Sequence, residues 1–235
     1  MLTGHNLVYF AQGPWNDLWR PQHQLMSVFA RSNKVLYVER RRFLRPTAKA
    51  LSSGELGWND LSRPALEHIA DNLYIHRYPI WAPVTGAFPL KALTHTISRG
   101  SLRRSMRALG MSDPIAWYSL PGMLDMIDDL PARLRIYHAI DEYTSYSKQT
   151  EDSKRLVAQR EQKLMAAVDA VIVVSQKLYD SKAPHNPHTY LVPNAVNYTS
   201  YQTALNDPEL PPELAAIPEP RVGYIGLIGD KLDYD

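Results

Sequence analysis

The chain has 235 residues, 45% of them apolar and 21% charged, with a formal net charge of +2, a globular composition long enough for one large α/β domain or one domain plus part of a second. Cysteine is absent, which excludes disulfides, thiolate nucleophiles and cysteine metal sites. The most apolar stretch, Ala166–Val174, is short and broken by Asp169, so a cytoplasmic protein with neither leader peptide nor membrane span is expected.

Residues Asn6–Ala11 form an apolar, aromatic run ending in Gln12-Gly13-Pro14, the pattern of a buried strand entering a turn. Pro21 then opens an amphipathic helix over Arg20–Arg31, with Leu25, Val28 and Phe29 on one side, and Lys34–Glu39 makes a second strand. Strand, helix and strand within this span fit a βαβ unit, whose parallel strands require a crossover connection. Arg40–Pro64 lacks a clear period and reads as an irregular excursion.

Further strands are expected at Leu73–Tyr78, Ile115–Ser119, Arg135–Ile140, Ala170–Val174 and Thr189–Val192, with helices between most of them. The clearest helix runs from Glu151 to Ala167, its apolar face formed by Leu156, Val157, Leu164 and Val168. Repeated βα units predict a Rossmann-like, open and mostly parallel sheet with helices on both faces. The proline-dense stretch 208–220 reads as an extended connector closing a domain over 1–207, and 221–235 reads as the first strand and turn of a second domain.

Several segments, taken in order, resemble GT-B glycosyltransferases of the retaining group 1/family four type that build surface polysaccharides and teichuronic-acid-like polymers. They are PWNDLWRPQHQLMSVFA followed by KVLYVE, then YHAIDEY, REQKLMAAVDAVIVVSQKLY, VPNAVN and PRVGYIGLIGDKLD. The resemblance implies a GT-B N-terminal, acceptor-side domain. Its full-length form would transfer a sugar from a nucleotide-sugar to a glycan or lipid-linked acceptor, using no metal and no cofactor. It departs from the family at Ala195 and Asn197, where glycine and aspartate are usual. The glutamate-bearing donor motif would lie beyond Asp235, so little or no transferase activity is expected of this chain by itself.

Ligands of open α/β sheets collect at the carboxyl ends of the strands, so the residues after each strand are the candidates. After the first strand, Gly13, Trp15, Asn16 and Asp17 could approach a phosphate or an acceptor, or form a tight turn with an aromatic lid on the core. Arg20 and His23 stand at the start of the next helix, where cations could add to an anion site or lie exposed. Asp141 and Glu142, with His138 in the strand before them, are the preferred acceptor site. As catalytic candidates, Asp141 can orient or deprotonate a sugar hydroxyl and His138 can hydrogen-bond a substrate, whereas Asp141 also suits helix capping and His138 could simply support its strand.

Ser175 either caps the next helix or lines the cleft, Asn194 sits in a loop implied to border the interdomain cleft or in a plain turn, and Gly226 would approach a donor diphosphate. Trp15, Asp141 and Asn194 are expected on one rim. Two arginine groups, at 40–45 and 99–107, are candidates for peripheral contact with an anionic membrane at the inner face of the plasma membrane, or are solvated faces. A nucleic-acid reading of the second group lacks interleaved aromatics. His185 and His188 have no third ligand in sequence and read as surface residues. A non-catalytic glycan-binding scaffold is the main rival.

Overall fold

The computed structural model describes residues 2–40, 63–79, 90–145, 150–206, 210–224 and 226. The chain divides into two compact units, Met1–Ala195 and Val196–Asp235. Most of the irregular excursion expected between Arg40 and Pro64 lies outside the described residues.

Among the described residues the first unit carries β1 (Asn6–Phe10), β2 (Lys34–Val38), β3 (Leu66–Ala70), β4 (Leu73–His76), β5 (Ile115–Tyr118), β6 (Leu134–Ala139), β7 (Ala170–Val173) and β8 (Thr189–Leu191). They form one sheet in the order β3-β4-β2-β1-β5-β6-β7-β8, parallel throughout except where the edge strand β3 runs antiparallel to β4. The α/β, Rossmann-like architecture is therefore present. β3 was not anticipated because LEHIA is short, carries Glu67 and His68, and is half-covered at the sheet edge, where no long apolar run is required.

Burial on both sheet faces explains why the inner strands read as unbroken apolar runs. Val8, Phe10, Leu36, Val38, Tyr118 and Tyr137 point to one face, under α2 (Leu90–Ala108), a 3-10 turn at Pro121–Met126, α3 (Glu151–Ala167) and α4 (Gln176–Lys182). Leu7, Tyr9, Val35, Tyr37, Ile75 and Trp117 point to the other, where α1 (Pro21–Ala30) contributes Met26 and Ala30. The strands end one or two residues earlier than their apolar runs, since Ala11 and Glu39 leave the regular ladder to begin the rim loops, each still donating its amide to the neighbouring strand.

One expectation for α3 is corrected. Leu156 is exposed, while the inward stripe holds the half-buried Val157 and the buried Glu161, Leu164 and Val168. Helical geometry puts residues 157, 161, 164 and 168 on one line, and Leu156 lies a quarter-turn outside it. A carboxylate therefore occupies a core position.

The second unit contains α5 (Tyr198–Asn206) and the short helix α6 (Pro212–Ala215). The stretch read as an extended connector therefore includes one helical turn, opened by Pro212 at a position that suits proline. In its turn, a Cβ added to Gly226 would meet the Tyr224 hydroxyl oxygen at 2.5 Å, a contact that the exposed Tyr224 ring can relieve by turning away.

Candidate active site

Strand order reverses between β1 and β5: from β1 the chain winds outward to β2 and β4, and from β5 it winds the other way to β6, β7 and β8. At such a switch point the loops leave the carboxyl edge in opposite directions and open a crevice, the usual ligand position in this architecture. Gln12 and Gly13 follow β1, Ser119 follows β5, and the turn after β6 leaves from the same edge. β1, β6 and β8 are all parallel, so the loops bearing Trp15, Asp141 and Asn194 leave from the same sheet edge.

Polar groups knit the crevice floor. The Gln12 side-chain amide donates to the Ser119 carbonyl at 3.2 Å and to the Tyr143 hydroxyl at 3.1 Å. That hydroxyl donates to the Ser119 carbonyl at 2.9 Å, and Ser119 Oγ donates to the Phe10 carbonyl at 2.8 Å. With its NH2 group committed on both contacts, Gln12 turns its Oε1 away from them as a fixed acceptor. Gln12, Ser119 and Tyr143 escaped the sequence reading because the signal for them is the strand order, which pairs β1 with β5 across more than a hundred residues.

The loop after β1 is an aromatic stack. Trp15 is 8% exposed and packs edge-on against Trp19, His23 and Tyr37 at ring separations of 5.1–5.5 Å, so its ring belongs to the core while Trp19 is 56% exposed above it. The Trp15 backbone N–H donates to Glu39 Oε1 at 3.0 Å. Asn16 is exposed, and Asp17 accepts from the Leu18 N–H and pairs with Arg20 at 3.4 Å, both side chains being about half exposed.

His23 is fully buried, and burial holds its pKa below the ordinary histidine value. Its Nδ1 accepts the Arg20 N–H at 2.9 Å, which puts the ring proton of the neutral form on Nε2, 3.3 Å from the Tyr37 hydroxyl. Tyr37 in turn donates to the Gly13 carbonyl at 3.2 Å. His23 thus shapes the Gly13 turn from beneath, and Arg20 supplies the exposed cation.

β6 delivers the carboxylates. Asp141 is half-buried and its Oδ1 accepts the Glu142 N–H at 2.9 Å; no helix begins there, so the helix-capping alternative does not apply. Thr150 instead caps α3 by accepting the Ser153 N–H. Glu142 accepts from Thr144 Oγ1 at 2.8 Å and from Lys182 Nζ at 3.2 and 3.3 Å. Burial raises its pKa, but the Thr144 hydrogen bond and the Lys182 charge together outweigh that, and the net direction is down.

His138 lies inside β6, edge-on to Trp117 at 5.8 Å, and desolvation lowers its pKa to about 4. It sits on the sheet face opposite Tyr137 and Ala139, one residue short of the rim. Ser175 caps α4 by accepting the Leu178 N–H at 3.3 Å. Asn194 is exposed at the end of the first unit. Gly226 lies in the second unit, and Gly229 and residues 227–235 lie outside the described residues. His185 and His188 are exposed.

Glu39 and Arg77 are the largest omission from the sequence reading. Glu39 is buried after β2 and grips the Trp15 amide with one oxygen and Arg77 Nε, 3.1 Å away after β4, with the other; Arg77 also pairs with Glu67. The only hint in sequence is a carboxylate ending an otherwise apolar strand.

In α2, Arg99 pairs with the buried Asp129 at 3.5 Å and Arg103 donates to the Asp129 carbonyl, whereas Arg104 and Arg107 remain exposed. Part of that basic group therefore holds the loop before β6. Among the described residues, no helix is long and apolar enough to cross a membrane.

No protein-family model matches the chain, and no curated protein sequence does. Solved structures do. Sucrose-phosphate synthase from Thermosynechococcus elongatus superposes with a TM-score of 0.52 at 13% identity, over 87% of this chain and 53% of that one. The chain therefore spans about half the length of that synthase. A shorter chain of the same synthase gives 0.47 at 12% identity, over 86% of this chain and 96% of that one. Glycyrrhiza uralensis UGT73P12, complexed with glycyrrhetinic acid 3-O-monoglucuronide, gives 0.42 at 10% identity, over 81% of this chain and 49% of that one. At these identities the likeness is one of fold alone: the chain shares the Rossmann-like α/β architecture of the part of the synthase that it matches.

Proposed function

We propose that the chain is the acceptor-side domain of a GT-B glycosyltransferase, one that passes a sugar from a nucleotide-sugar to a glycan or lipid-linked acceptor. The observation that carries this reading is the half-buried Asp141 carboxylate at the carboxyl rim of β6, beside a switch-point crevice, in a glycosyltransferase-like fold. Gln12 Oε1, Asp17 and Asp141 offer acceptors for sugar hydroxyls, and the exposed Trp19 offers an apolar ring face. Asp141 orients or deprotonates the attacking hydroxyl, while Arg20 adds positive charge near the departing diphosphate.

A cytoplasmic site of action is supported by the absence of cysteine, and peripheral contact with anionic membrane by the arginine groups at 40–45 and 99–107. The other finer assignments rest on the sequence resemblance: a retaining reaction of the family four type, a hexosyl donor, a surface-polysaccharide product, and independence of metal and cofactor. Asn194 and Gly226 are assigned to the acceptor and donor sides on the same basis.

The reading is tested by incubating the full-length form that the resemblance implies, donor-side domain included, with UDP-, GDP- and dTDP-hexoses and a panel of oligosaccharide and polyprenyl-phosphate acceptors, with product detected by mass spectrometry. Transfer by that form is expected to fall about 100-fold in Asp141→Asn, the size of effect typical for loss of a positioned acid or base. Binding of acceptor with no transfer by the full-length form under any donor would instead favour a non-catalytic glycan-binding scaffold.

A further inference from the structure

Lys182 is a buried cation whose part in the site as so far described is its pairing with Glu142. It closes α4 with its side chain 7% exposed, and its Nζ donates to Glu161 Oε2 at 2.8 Å and to both carboxylate oxygens of Glu142 at 3.2 and 3.3 Å. Glu161, whose side chain is 3% exposed, also accepts the Tyr137 hydroxyl at 2.7 Å. Taking such charges out of water is costly, and well-packed apolar side chains at these places would stabilise the fold at least as well. Packing alone therefore does not account for the arrangement.

The network ends on the rim. Glu142 is held by Lys182 through its side chain, and its backbone N–H is the donor to Asp141 Oδ1 at 2.9 Å. The Glu142 carbonyl accepts from both the N–H and the hydroxyl of Ser145, and Thr144 returns to the Glu142 carboxylate. From the crevice side, Tyr143 is tied to Ser119 and Gln12. The turn that presents Asp141 is thus clamped from two sides, and on the side away from the crevice the clamp is an ammonium fixed by α3 and α4.

From this geometry we infer that Lys182 is a positioning residue for Asp141, acting through Glu142 to set the direction in which the rim carboxylate faces. The importance of that direction rests on the reading of Asp141 as the acceptor-facing group. Glu161 anchors the ammonium, and Tyr137 anchors Glu161 to the sheet.

The test is amide hydrogen exchange and carboxyl 13C titration by NMR on the full chain and on Lys182→Met, Lys182→Arg and Glu142→Gln. In Lys182→Met, exchange at the Glu142 and Ser145 amides is expected to accelerate at least about ten-fold while β1 and β5 amides keep their protection. The Glu142 titration midpoint moves upward, because the charge that offset its burial is gone, and Lys182→Arg restores both readouts in part. Glu142→Gln reproduces the loosening of the turn while leaving Lys182 paired with Glu161, so a poorly folding Lys182→Met does not leave the question open. An unchanged turn in Lys182→Met or in Glu142→Gln, or loosening of β1 and β5 to the same degree as the turn, overturns the inference. Neither readout uses a sugar, so intact coupling together with failed transfer by the full-length form would reject the glycosyltransferase reading and leave the role of Lys182 standing.

Discussion

Histidines held out of water, His23, His76 and His138 among the described residues, give the protein a defined response to acid. His76 ends β4 completely buried, its Nδ1 2.9 Å from Ser105 Oγ and its Nε2 without a hydrogen-bond partner among the described residues, and desolvation lowers its pKa to about 4. The unfolded chain binds the proton near pH 6.5, so stability is complete above that pH and is lost as pH falls toward 4. One such group contributes about 3 kcal/mol over that window. His138, lowered to about 4 by the same cause, acts in the same direction. Thermal denaturation between pH 7 and 4 should show a falling Tm, and His76→Phe should remove about one proton from the slope; an unchanged slope would mean that His76 is protonated in the folded chain. At this scale the sequence was informative about Asp141, because it follows an apolar run directly. Glu161 and Lys182 were opaque because their meaning lies in each other, across twenty-one residues and two helices.

Secondary elements here are joined to the rim by ion pairs as much as by apolar contact. Glu39 links the ends of β2 and β4 to the loop after β1, so it fixes the height of the Trp15–Trp19 aromatic stack above the sheet. Glu39→Ala would leave the largely buried Arg77 guanidinium short of one of its two carboxylates and the Trp15 amide without its acceptor. A loss of about 3 kcal/mol is expected by urea denaturation with unaltered m-value, and a loss below about 1 kcal/mol would mean that Glu67 and water replace the clamp. The elements themselves were largely legible, because strands buried on both faces and a proline-led α1 leave strong patterns. β3 left none, and the stripe of α3 was misdrawn at Leu156 because periodicity counts apolar residues and passes over a paired carboxylate such as Glu161.

For the whole molecule, the buried apolar residues described all lie between Leu7 and Leu178, and the described residues of the second unit are exposed. Ending the chain at Ala195 should therefore change Tm by less than about 5 °C, an effect on the order of 1 kcal/mol or less for a domain of this size. A larger drop would show that 196–235 contributes to the core of the first unit. The repeated βα rhythm made a parallel sheet legible, but not the order of its strands, since pairing of β1 with β5 is a long-range fact with no local signature. The crevice and its floor of Gln12, Ser119 and Tyr143 depend on that order, so the centre of the site became visible only in three dimensions. The central claim is that sugar acceptors bind at this crevice. It is tested most directly by titrating the 15N-labelled protein with the oligosaccharide panel and mapping the perturbed resonances. Shifts gathered at the Gln12 side-chain amide, the Trp19 indole and the Asp141–Tyr143 amides are predicted, and shifts elsewhere, or none with any saccharide, would contradict the account.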